Sequence, residues 1–115
     1  MLKNATYIDQ STIPEAGLGV FSKDDQEEGA LIEECVVFPF PNALDIPTFW
    51  DHQLEWTDDH DALATGHALL YNHHSQTPNV RFERDFENKR IRIYTRRPLK
   101  AKEELFCNYC CKPWW

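Results

Sequence analysis

The sequence predicts a mainly β domain, and three observations carry that prediction. Short stretches rich in β-branched and aromatic residues recur along the 115-residue chain. No helical pattern runs long, and seven prolines and four glycines are spread throughout. Two alternating segments, 79–86 and 89–97, read as a hairpin. Many short strands with little helix suggest an all-β or β-rich domain with a compact insert.

Taken in order, ATYID (5–9) alternates apolar with polar residues, and GVF (19–21) is a brief apolar run. Residues 23–29, KDDQEEG, form a polar turn. ALIEECVVF (30–38) is rich in β-branched residues and is expected to end at Pro39. Residues 44–68 mix aromatic and acidic side chains, and a short helix interrupted by Gly66 is expected from Ala62 to Leu70. In the hairpin, Val80, Phe82 and Phe86 share one face and Arg81, Glu83 and Asp85 the other, with 87–89 as the turn. Ile91, Ile93 and Thr95 alternate with Arg90, Arg92, Tyr94 and Arg96, whose arginines should meet Glu83 and Asp85 across the strands. PLKAKEELF (98–106) reads as a turn and a short apolar strand.

A single domain over 1–115 is expected at this length, large enough for a core without disulfide staples. The start, MLKNATYIDQ, has no apolar region of the secretory kind, and no run approaches a membrane span. The four cysteines, Cys35, Cys107, Cys110 and Cys111, are therefore expected as reduced thiols in an intracellular protein. Residues 1–60 carry two basic against thirteen acidic side chains, and residues 61–115 ten basic against six acidic. That distribution argues against nucleic-acid binding as the main role and suits attraction of a basic partner, although it equally suits a solvated acidic surface.

LLYNHHSQTPN (69–79) concentrates Asn72, His73, His74, Ser75 and Asn79 in one polar turn. With Cys107-x-x-Cys110-Cys111 it invites a zinc reading, but one CxxC pair without a second knuckle favours small buried thiols, and no metal is expected. Ser75 beside His74 lacks a nucleophile elbow. Gly17-Leu18-Gly19 lacks the third glycine of a dinucleotide fingerprint. It is either a tight turn needing positive φ or a place where backbone approaches a ligand closely. Trp114 and Trp115 present much apolar surface, which either packs on the domain or stacks on a ligand.

Three segments, in this order, resemble the SET domain of protein lysine methyltransferases: Gly17-Leu18-Gly19-Val20-Phe21 the GxGVF-type opening, 72–79 the N-H-S-x-x-P-N signature, and 103–109, EELFCNY, the E-E-L-x-x-x-Y end. The resemblance spans about residues 5–115 and suggests a minimal stand-alone form of the kind found in viruses and bacteria, without pre-SET or zinc-binding post-SET modules. It implies small curved sheets with a short helical insert and a pseudoknot-like threaded C-terminal segment. It further implies S-adenosylmethionine as cofactor, S-adenosylhomocysteine as product, and a basic protein or peptide such as a histone tail as substrate. By the same resemblance Gly17, Leu18, Gly19, Tyr71, Asn72, His73 and Trp114 bind the cofactor. Asn72 meets the amino end, and His73 contributes mainly backbone contacts. Tyr109 stands at the methyl-transfer centre, and Tyr71, Tyr94 and Phe106 are candidate walls of the lysine channel.

Two departures stand out. Asn72 to Asn79 spans seven positions where the family has six, so His74 is expected to be the extra residue. Gln76 stands where many relatives carry a zinc-binding cysteine, and no C-x-C-x4-C follows Tyr109. The leading expectation is a protein-lysine N-methyltransferase, nuclear if the source is eukaryotic or viral and cytoplasmic otherwise. The alternatives are a silent SET-like module binding peptide or cofactor, and a small metal protein. A homodimer would be one way to complete the pocket. No direct nucleic-acid or membrane partner is expected.

Overall fold

The computed structural model describes residues 2–14, 16–41, 54–74 and 77–108. These form nine strands: β1 (Thr6–Gln10), β2 (Leu18–Ser22), β3 (Leu31–Pro41), β4 (Leu54–Thr57), β5 (His60–Ala64), β6 (Asn72–His73), β7 (Val80–Asp85), β8 (Arg90–Thr95) and β9 (Glu104–Cys107), with one 3-10 turn at Ala68–Leu70. Their order across the sheet is β1-β2-β9-β7-β8-β3-β5-β4, and β6 lies beside β9. The mainly β prediction holds.

The β7–β8 hairpin pairs Val80 with Thr95 through Asp85 with Arg90. Alternation sets its faces: Val80, Ile91, Ile93 and Thr95 are buried. Asp85 accepts from the Asn88 backbone N–H (3.1 Å) and side chain (2.9 Å), closing the turn. Arg92 bridges Asp85 (3.1 Å) and Glu34 (2.7 Å), whereas Glu83 pairs with Arg81 of its own strand. Phe86 lies beyond the strand, 54% exposed, with its ring edge-on to Trp56.

Two local expectations change. The β3 strand does not end at Pro39; it continues to Pro41, pairing with β8 up to Val36 and with β5 from Val37 onward. Beyond Val36 the strand therefore has one described partner, and the nitrogens of Pro39 and Pro41, which cannot donate, are tolerated toward the other side. Residues 62–64 are strand rather than helix, because β3 supplies a cross-strand partner for each of them. Pairing overrides the modest helix preference of alanine and leucine, and within residues 62–70 only Ala68–Leu70 is helical.

The core is built on Val20, Ile32, Val37, Tyr71, Val80, Ile91, Ile93 and Leu105, all at most 1% exposed. Glu33 is buried among them, with no cation on it among the described residues. Its carboxylate accepts from the Tyr71 hydroxyl (2.8 Å) and the His67 backbone N–H (2.6 Å). Burial first, then the adjacent Glu33 carboxylate, pushes the Cys35 thiol and the Tyr71 phenol well above their usual ranges, so both stay neutral.

Candidate functional site

The site is organised by β9. This strand runs antiparallel to β2, through Val20↔Leu105 and Phe21↔Glu104, and parallel to β6 and β7. The β6 register sets Asn72 opposite Phe106 and His73 opposite Cys107. The ladder stays regular through the His74 amide, which donates to the Cys107 carbonyl (3.0 Å). The His74 ring packs edge-on against Phe106 and its Nδ1 accepts from the Thr77 N–H (3.1 Å).

Asn79, 1% exposed, staples the other side of β9. Its side chain donates to the Glu104 carbonyl (2.9 Å) and accepts from the Phe106 N–H (2.7 Å), while its own N–H donates to the Phe106 carbonyl (2.9 Å). A side-chain amide replaces a missing stretch of ladder, which lets one short strand bind two segments in parallel.

The polar centre is the Glu104 carboxylate, on a residue only 5% exposed. One oxygen accepts from the Thr12 backbone N–H (2.8 Å) and hydroxyl (2.5 Å); the other accepts from the Ser11 hydroxyl (2.7 Å) and the Asn72 amide (3.1 Å). Burial would raise the pKa of this carboxyl, but donation from Thr12, Ser11 and Asn72 outweighs it and holds the group below the usual carboxylate range. Ser11 also receives the Ile13 N–H on its hydroxyl (3.1 Å), a local serine turn.

The two glycines of the motif play different parts. Gly17 has φ +78° with open space where a Cβ would be, so it is a turn glycine. Gly19 has no such φ, but a methyl there would overlap Glu104 Oε2 and come within 3.3 Å of Asn72 Nδ2. The close approach at Gly19 is to the protein's own polar cluster. Leu18 between them is 54% exposed.

The orientation of Asn72 follows from its neighbours. Its Nδ2 contacts the Leu18 carbonyl, Glu104 Oε2 and Ser11 Oγ, each at 3.1 Å. The carbonyl and the carboxylate can only accept, so the amino end of the amide must face them. Among the described residues no donor reaches Oδ1, and that acceptor is left for a ligand donor. A group with an ammonium end could donate to this oxygen.

Of the residues singled out from sequence, Gly17, Leu18, Gly19, Asn72, His73 and Phe106 are thus brought together along β2, β6 and β9. Tyr71 is 1% exposed, with its hydroxyl on Glu33 and its ring edge-on to Phe82. Its side chain is therefore sealed in the core and offers no channel or cofactor surface. Tyr94 lies on the outer face of β8 under the Arg81 guanidinium, 4.5 Å from the ring centroid, and is not part of this cluster. Tyr109, Trp114, Ser75 and Gln76 lie outside the described residues, as do Cys110 and Cys111. Cys35 and Cys107 are buried cysteines. Ser11, Thr12 and Glu104 were missed as site residues; a serine-threonine pair ending a strand and a glutamate inside an apolar strand were the available signals.

Comparison with known proteins agrees with this architecture. A family model described as SET domain matches residues 17–110. A Plasmodium falciparum candidate histone methyltransferase matches with TM-score 0.81 and 25% identity, over 98% of this chain and 99% of that one. A chain of the Chaetomium thermophilum Polycomb Repressive Complex 2, in an autoinhibited conformation bound to S-adenosylmethionine, matches with TM-score 0.76 and 19% identity, over 94% of this chain and 15% of that one. A humanised mutant of the same complex bound to an inhibitor matches with TM-score 0.78 and 19% identity, again over 94% and 15%. No curated protein matches the chain significantly.

Proposed function

The chain belongs to the SET-domain family, and we propose that it is an S-adenosylmethionine-dependent protein-lysine N-methyltransferase acting inside the cell on a basic segment such as a histone tail. The observation that carries this is the convergence on β9: the glycine motif through β2, and Asn72 with His73 through β6, meet a strand that ends two positions before Tyr109.

S-Adenosylmethionine supplies an electrophilic methyl group on a sulfonium. Asn72 Oδ1 accepts from the cofactor's ammonium, while backbone groups of Gly17–Gly19 and His73 hold the remainder. Trp114 is assigned to the adenine face. Tyr109 orients the reacting groups with its phenol oxygen, and fixing their alignment supplies several kcal/mol of the barrier reduction. An apolar wall at Phe106 disfavours the charged form of a lysine whose free pKa is about 10.4, so the attacking amine is held neutral. The acidic excess in residues 1–60 draws a basic substrate toward the domain.

Incubation with labelled S-adenosylmethionine and an array of histones and basic peptides, read by mass spectrometry, tests this. Methyl incorporation on lysine is expected, and Tyr109→Phe should lower the rate about a hundredfold. No incorporation across the array, or a Tyr109→Phe protein indistinguishable from wild type, overturns the proposal.

A further inference from the structure

Glu104 has more to do than close a strand. Its four donors come from two separate stretches of chain: Thr12 and Ser11 in the β1–β2 connection, and Asn72 on β6. No cation is among them, so the carboxylate acts purely as a double acceptor. Its placement dictates the glycine at position 19, where a methyl would overlap Oε2. It also dictates which end of the Asn72 amide faces inward.

We infer that Glu104 is a positioning residue that locks the flip of the Asn72 amide, so that Oδ1 rather than Nδ2 meets the ammonium of the cofactor. This rests on the methyltransferase reading above. An amide free to flip would present its amino group to a cationic donor half of the time and repel it. With Glu104 Oε2 and the Leu18 carbonyl both on Nδ2, the wrong flip would set the Asn72 oxygen against two acceptors. Ser11 completes the lock, donating to Glu104 while accepting from Asn72 (3.1 Å).

Glu104→Gln tests this. The glutamine has one acceptor oxygen, and the Thr12 backbone N–H cannot reverse its role. The amino end of the glutamine therefore turns toward Ser11 and Asn72 and opposes the orientation that the Leu18 carbonyl still favours, which weakens the preference between flips. Calorimetry should compare S-adenosylhomocysteine with its desamino analogue, in which hydrogen replaces the amino group. Loss of a charge-assisted hydrogen bond should weaken S-adenosylhomocysteine about tenfold or more in E104Q, and the analogue less than about threefold.

Ser11→Ala, a milder change in the same lock, should show the same selective loss at about two- to fivefold, and it keeps the test decisive if E104Q fails to fold. Equal weakening of both ligands, or no change in either, overturns the inference while leaving the functional reading intact. A wild-type chain that binds neither ligand overturns both.

Discussion

Among the described residues two glutamates are buried, Glu33 at 0% and Glu104 at 5% exposure, and neither carboxylate meets a cation there. They solve the same desolvation problem differently. Glu33 is met by a phenol and one backbone N–H, and its charge pushes the neighbouring Tyr71 and Cys35 upward, after burial itself. Glu104 is met by four donors and is itself held low. One oxygen of each carboxylate is matched to a glycine at which a Cβ would collide: Gly66 against Glu33 Oε2 and Gly19 against Glu104 Oε2. The difference lies in what the donors belong to. The partners of Glu33 are core groups, so its network fixes the packing of β3 on the 3-10 turn. The partners of Glu104 include a connection between strands and an amide whose oxygen meets no donor among the described residues, so under the proposed function its network would shape the surface that meets the ligand.

The largest break in that comparison should come from the glycines. At Gly66, with φ +66°, an added Cβ would sit 2.5 Å from Glu33 Oε2 and 2.9 Å from Cys35 Sγ. Gly66→Ala should therefore cost about 2–4 kcal/mol, read as a lower urea midpoint with an unchanged slope. Gly19→Ala meets an equally close carboxylate but an ordinary backbone conformation and a connection that can yield. Its stability loss should be about 1–2 kcal/mol, with loss of S-adenosylhomocysteine binding as the dominant effect. If both variants lost only stability, the assignment of Glu104 to a binding surface would fail.

Glu33→Gln comes next. One of its two donors, the Tyr71 hydroxyl or the His67 N–H, would face an amino group inside the core. A loss of about 1–3 kcal/mol is expected in denaturant unfolding. An unchanged midpoint would mean that the network relaxes without penalty.

The pH response should separate the two sites most subtly. Glu104 is held low in the folded state, so its contribution is present above the ordinary carboxylate range and fades as pH falls through the depressed folded value. Tyr71 and Cys35 are held high, so their contribution is present below the ordinary thiol and phenol ranges and fades as pH rises through the folded values. In a profile of Tm against pH, Glu104→Gln should flatten the acid limb and Glu33→Gln should soften the alkaline one. The reverse assignment would contradict the geometry.

Legibility from sequence followed the range of the interactions. The β7–β8 hairpin was readable because alternation and a turn are local, and Gly17 because a positive φ is a property of one residue. The buried thiols Cys35 and Cys107 were likewise anticipated. The strand identity of 62–64 and the continuation of β3 through two prolines were not, since both depend on a partner strand far along the chain. Tyr71 shows the same limit at the site. Its position next to Asn72 suggested a wall, but adjacent residues of an extended segment point to opposite sides, and its side chain turned inward to Glu33.

The sequence by itself determined the β class, the β7–β8 hairpin and the order of the three segments that mark the family, because each is written in neighbouring residues. Only the tertiary structure decided that Thr12, Asn72 and Glu104 form one cluster, across separations of 92 and 32 residues from Glu104. A buried carboxylate must find donors wherever the fold delivers them, and a two-residue parallel strand such as β6 leaves no periodicity to announce its partner.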